Sequence, residues 1–174
     1  MIVCKSSREI EKLRVSGRIV REILEEVRSK AQPGATTMDL ESYVEKRVKQ
    51  LGVKPAFRGY RGYPCCLCAS INNEVVHGIP SRRRVLKEGD IVSLDLGVIV
   101  DGYYGDSALT APVGGISDSL KRLLRVTEES LRLAIEHVRR GNHLGDVSAT
   151  VQQHAEAAGY SIVREFVGHG IGRA

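Results

Sequence analysis

Four stretches of the chain place apolar residues at the spacing of one helix face. The first opens with Ser6-x-x-Glu9, a pattern in which the hydroxyl and the carboxylate each take a backbone N–H at a helix start. Ile10, Leu13, Ile19, Val20, Ile23, Leu24 and Val27 follow on one stripe, and Pro33-Gly34 stops it. Thr36-x-x-Asp39 opens a second helix, with Leu40, Val44, Val48 and Leu51 aligned before Gly52. A third is predicted from near Ser117 to near Gly141, carrying Leu120, Leu123, Leu124, Leu131, Ala134, Ile135 and Val138. The fourth runs from about Asp146 through Val147, Val151, Ala155 and Ala158 to Gly159.

Between the helical pairs the pattern becomes that of strands. Cys65–Ile71 predicts a short strand and Ile91–Val100 a long one, Asp101-Gly102 is a tight-turn signal, and Tyr103 to Ala111 is the returning strand. Helices and an antiparallel sheet in separate stretches predict an α+β fold. Moving the chain by 107 positions brings Gly34 onto Gly141, Asp39 onto Asp146, Val44 onto Val151 and Gly52 onto Gly159, and Leu13 and Leu24 onto Leu120 and Leu131. A duplicated helix–helix–strand unit accounts for this. The first half then spans about residues 1–112 and the second about 113–174 of a single domain. Only 15 residues follow Gly159, so the second β half is expected to be incomplete.

Composition narrows the class. With 42% hydrophobic residues the 174-residue chain can build a core, and intrinsic disorder is excluded. Aromatics are only 5% and Trp is absent, so aliphatic side chains supply the burial. No apolar run approaches the ~20 residues that span a bilayer. Met1 to Ser6 lacks the layout of a signal peptide, and the expectation is a soluble, cytoplasmic protein with no membrane partner. The net charge of +5 is mild, and Arg82-Arg83-Arg84 reads as a solvated loop without implying DNA. Cys65, Cys66 and Cys68 have no second cluster to complete a zinc site, and adjacent strand cysteines point to opposite faces, so reduced, buried thiols are expected in place of a zinc site or a bridge.

Asp95 interrupts an apolar strand, where an unpartnered carboxylate costs several kcal/mol. A two-residue turn at Asp101-Gly102 pairs residue i with 203 − i, which sets Gly97 opposite Asp106 and makes Asp95 and Asp106 diagonal neighbours on one face. At roughly 5.5–8 Å between Cβ atoms, two such carboxylates repel unless a cation joins them. A divalent metal site is one reading; an aspartate facing solvent at a sheet edge is the other, and a bulge would undo the register. His77 in His77-Gly78-Ile79-Pro80 and His169 in Gly168-His169-Gly170-Ile171-Gly172 stand among glycines that let backbone approach a ligand. Gly168–Gly172 lacks the pattern of a phosphate loop. His137, His143 and His154 lie on or beside amphipathic helices and receive no role.

Several longer motifs are more specific. Gly59-Tyr60-Arg61-Gly62-Tyr63-Pro64, Cys68-Ala69-Ser70-Ile71-Asn72-Asn73-Glu74-Val75-Val76-His77-Gly78-Ile79-Pro80, Gly89 to Asp95, Asp101 to Asp106, and Val167 to Gly172 occur in this order along the chain. Together they resemble type I methionine aminopeptidases. The resemblance implies a pita-bread fold of two pseudo-twofold αβ halves, and removal of the initiator methionine from nascent proteins with a small second residue. It implies two divalent ions, of Co, Mn, Fe or Zn, with Asp95, Asp106 and His169 as three of five ligands. It gives His77 a substrate-contacting catalytic role and makes Tyr60, Tyr63 and Cys68 walls of the methionine pocket. Arg61 stands where many members carry histidine.

The family's second substrate histidine and two glutamate ligands have no counterpart among these residues. The 174 residues alone are therefore expected to be a truncated, weakly active or inactive form. The implied partners are N-terminal Met peptides and nascent chains, with ribosome contact through Arg58, Arg61 and Arg82–Arg84, and the implied state is a monomer. The bulk of Ile2 further implies that the protein keeps its own Met1. Two other readings are a catalytically dead pita-bread binding module and a proline-directed pita-bread peptidase. The presence of Asp95, Asp106, His169 and His77 argues against the first, and the Tyr60–Pro64 and Cys68–Pro80 motifs against the second.

Overall fold

The computed structural model describes residues 4–173; Met1, Ile2 and Val3, on which the expected retention of Met1 falls, lie outside the described residues, as does Ala174. The chain divides into two compact units, Met1–Ile116 with Gly170–Ala174, and Ser117–His169.

In the first unit, helix α1 (Ser7–Arg28) and helix α2 (Thr37–Leu51) start at the two motifs read from the sequence. The Ser6 N–H donates to Glu9 Oε2 at 2.8 Å, and the Thr36 N–H to Asp39 Oδ2 at 2.8 Å. Each carboxylate thus satisfies a donor that the helix cannot. Gly52 ends α2 with φ +65, a conformation that glycine adopts without a Cβ penalty.

Four strands follow: β1 (Lys54–Pro55), β2 (Leu67–Ile71), β3 (Ile91–Val100) and β4 (Tyr103–Pro112). β3 pairs antiparallel with the other three; β4 takes one edge, and β2 and β1 share the other. The β3–β4 register is the expected one at all ten pairs, from Ile91↔Pro112 to Val100↔Tyr103, with no bulge. Strand β2 begins at Leu67, two residues later than the apolar pattern predicts, and the Cys66 and Leu67 N–H groups at its start bond to the Glu41 carboxylate.

The even positions of β3, Val92, Leu94, Leu96 and Val98, are fully buried against Val20, Ile23, Leu24 and Val27 of α1 and Leu40, Val44 and Val48 of α2. Each such aliphatic contributes about 1.5–3 kcal/mol on full burial. Ile10 and Leu51, read as members of the buried stripes, are instead 41% and 36% exposed. Gly105 sets how closely α1 sits: a Cβ there would lie 2.5 Å from the Ser16 carbonyl carbon. The Ser16 hydroxyl donates to the Tyr104 carbonyl across this contact, at 3.2 Å. Buried Tyr103 donates to Glu9 Oε1 at 2.9 Å and accepts from Arg173 Nε at 3.0 Å, while the Tyr104 N–H donates to the Gly172 carbonyl at 2.8 Å. These bonds fasten the segment after Gly170 to the first unit.

The second unit is a helical hairpin of α3 (Asp118–Glu136) and α4 (Leu144–Ala157). Ser117 caps α3, which ends earlier than its apolar pattern does, and Gly141 turns the chain at φ +97. His143 precedes α4 and its N–H donates to Asp146 Oδ2 at 2.7 Å, so the helix opens slightly before Asp146. Leu144 and Thr37 open α4 and α2 at the same 107-residue displacement as the sequence repeat. His154 Nε2 lies 3.4 Å from Glu129 Oε2 inside this hairpin, and Arg122 donates to the Ala158 carbonyl at 2.7 Å. Among the described residues no helix is long and apolar enough to cross a membrane.

Candidate active site

Strand alternation gives the sheet two faces of different chemistry. With Leu94, Leu96 and Leu67 turned to the helices, the opposite face receives Ser93 and Asp95 from β3, Cys68 and Ser70 from β2, and Asp106 and Thr110 from β4. Cys68 stands directly opposite Asp95, and Asp106 opposite Gly97, one step along from Asp95 on the same face. Both aspartates are half-buried. Further along, Ser93 and Thr110 share a hydrogen bond of 2.9 Å across the strands. Gly97 keeps the ladder open: a Cβ there would lie 2.7 Å from the Phe57 ring.

The Asp95–Asp106 pair offers hard oxygen donors from two adjacent, rigidly registered strands. That donor set fits a divalent cation, which offsets the repulsion of two half-buried like charges. A second acidic group, Glu41, Glu45 and Cys66, also brings potential ligand atoms together. There Arg58 already supplies the cation: its Nη2 donates to Glu41 Oε1 at 2.9 Å and also reaches Glu45. Both Glu41 oxygens, moreover, accept backbone N–H groups, from Cys66 at 2.7 Å and Leu67 at 2.8 Å.

His77 belongs to the Asn72–Pro80 loop, is exposed, and takes φ +61. Next to it, Gly78 docks on β2: its N–H donates to Ser70 Oγ at 3.0 Å and its carbonyl accepts from Ala69 N at 2.8 Å. A Cβ at Gly78 would lie 2.3 Å from the Ala69 carbonyl oxygen, so glycine is required for this approach. Glu74 staples the loop by accepting from Ile71 N at 2.7 Å and from Arg84.

Tyr63 is half-buried, and its hydroxyl shares its one proton between the Leu67 carbonyl at 2.9 Å and the Gly78 carbonyl at 3.2 Å. Burial, then the neighbouring Cys68, raises its pKa well beyond the ordinary phenol range. Burial pushes the Cys68 thiol up to about 11; a hydrogen bond with Tyr63 works against this, and the charges of Asp95 and Asp106 add to it. Tyr60 is 64% exposed on a short 3-10 turn, Tyr60–Gly62, with the Arg61 guanidinium 5.4 Å from its ring centre. Cys4, Cys65, Cys66 and Cys68 are free thiols, the last three buried.

The first unit therefore places Asp95, Asp106 and Cys68 on one face of the sheet, while Tyr63 bonds both β2 and the His77 loop and Tyr60 lies on the turn before it. His169 belongs to the second unit and is exposed there. Glu41 falls in no sequence motif.

Residues 11–174 match metallopeptidase family M24. The chain belongs to that family. It is 47% identical to the methionine aminopeptidase of Clostridium acetobutylicum over 99% of its own length and 69% of the relative's. It is 46% identical to methionine aminopeptidase 1 of Bacillus subtilis over 99% of its length and 69% of that protein's. The crystal structure of methionine aminopeptidase from Thermotoga maritima matches with a TM-score of 0.97 at 47% identity, covering 99% of this chain and 70% of that one. The fold is thus that of the M24 pita-bread peptidases, as the motifs implied, and the family's use of divalent metal agrees with the donor set on the sheet.

Proposed function

We propose that this protein is a metal-dependent aminopeptidase that removes N-terminal methionine from peptides and nascent proteins whose second residue is small. The observation that carries the proposal is the Asp95–Asp106 pair, held in register beside Cys68, in a chain 47% identical to a methionine aminopeptidase. Asp95, Asp106 and His169 are the proposed ligands of two divalent ions, and carboxylate-plus-imidazole donors suit Co, Mn, Fe or Zn. When bound, such ions supply Lewis acidity, polarising a peptide carbonyl and acidifying water.

The chain's own residues do the rest. Tyr60, Tyr63 and Cys68 offer aromatic and sulfur surface to a long, polarizable thioether. His77 stands on a glycine-anchored loop and donates to, or takes a proton from, the substrate's first peptide group. Ribosome contact, a monomeric state and a cytoplasmic site of action belong to the same proposal.

The test uses the full product of the coding frame that contains these residues, supplied with Co²⁺ or Mn²⁺. Methionine release from Met-Ala-Ser, with no cleavage of Ala-Pro-Ser, is the expected result. Preferential cleavage of the Xaa-Pro peptide would replace this reading with a proline-directed one, and silence toward both with a binding module.

A further inference from the structure

Glu41 is 2% exposed on α2, yet it carries a carboxylate, and no part of the proposed chemistry uses it. Its three short bonds show where it acts. Oε1 accepts from Cys66 N at 2.7 Å and from Arg58 Nη2 at 2.9 Å, and Oε2 accepts from Leu67 N at 2.8 Å. Leu67 is therefore clamped at both ends of its backbone, its N–H by Glu41 and its carbonyl by Tyr63 at 2.9 Å. The next residue is Cys68, opposite Asp95. The same Tyr63 hydroxyl bonds the Gly78 carbonyl, one residue from His77.

We infer that Glu41 is a positioning residue: through Leu67 it sets where Cys68 and Tyr63 stand, and hence how selectively the site takes a methionine side chain. The inference rests on the function proposed above. Charge-assisted bonds to backbone N–H groups are shorter and stronger than neutral ones, which suits a carboxylate to fixing a strand end. The groups it holds touch the substrate side chain and not the reacting carbonyl, so loosening them weakens substrate and transition state alike.

The test is E41Q in the full coding product, with Met-Ala-Ser and Leu-Ala-Ser as substrates. Glutamine keeps the shape, but in either orientation its –NH₂ donor faces a backbone N–H, that of Leu67 or that of Cys66. The expected result is a KM for Met-Ala-Ser raised about tenfold with kcat within about twofold, the signature of lost uniform binding. The preference for Met over Leu falls, and the Leu67 amide exchanges its hydrogen faster. R58Q changes an exposed side chain and leaves both backbone bonds; it moves KM and selectivity in the same direction by less. If E41Q does not fold, R58Q decides. Unchanged KM and selectivity, or a loss confined to kcat, overturns the inference. Absence of Met-Ala-Ser turnover in the unaltered protein instead overturns the functional reading, and the inference with it.

Discussion

Glu9 joins three parts of the first unit: the cap of α1, the hydroxyl of Tyr103 and, through that hydroxyl, Arg173. Hydrogen bonds from the Ser6 backbone and side chain, then from Tyr103, lower its pKa from the ordinary 4.5 to about 2. A carboxyl held lower in the folded state stabilises that state fully above pH 4.5, and the contribution is lost as pH falls toward 2. E9Q should therefore melt below the wild type at pH 7, and the gap should close between pH 4.5 and pH 2 in thermal scans. A gap that stays constant to pH 2 would remove Glu9 from this linkage. The sequence made Glu9 legible only as half of a capping box. Its second role depends on Tyr103, 94 positions away, which no local pattern encodes. Glu41 is hidden for the same reason, since on α2 it reads as one more polar helix residue until β2 is laid against it.

At the scale of elements, the β3–β4 hairpin was the most legible part of the molecule. Strand alternation and the Asp101-Gly102 turn together leave one register, and that register alone is enough to place Asp95 and Asp106 on a common face. The helices were legible in position and less so in burial. Leu24 of α1 is 1% exposed, whereas Leu131, its counterpart 107 positions on in α3, is 59% exposed. A helical stripe is visible in a sequence, but what covers it is a tertiary matter. In the 174-residue chain, L24A should cost about 2–5 kcal/mol in urea unfolding, as deletion in a packed core does. L131A should stay within about 0.5 kcal/mol, as exposed substitutions do. Equal losses at the two positions would show that the two helical stripes are equally covered in solution.

The whole molecule joins a family-level identity to a local geometry. Similarity over 99% of the chain gives the metallopeptidase family, and the strand register sets two carboxylates on one face of the sheet, which also includes β2, the strand the His77 loop docks on. His169 lies in a stretch without helix or strand, so no periodicity fixes where it points, and its glycine flanks marked it only as a candidate. The claim on which everything else depends is that Asp95 and Asp106 hold divalent metal. Calorimetric titration of the metal-free full coding product with Mn²⁺ or Co²⁺ tests it, with D95N, D106N and, as a control, E45Q. The account predicts binding in the unaltered protein, at least about tenfold weaker binding in D95N and D106N, as expected when a ligand is lost, and no change in E45Q. Unchanged affinity in D106N, with loss in E45Q, would contradict it and move the metal site to the Glu41–Glu45–Cys66 cluster.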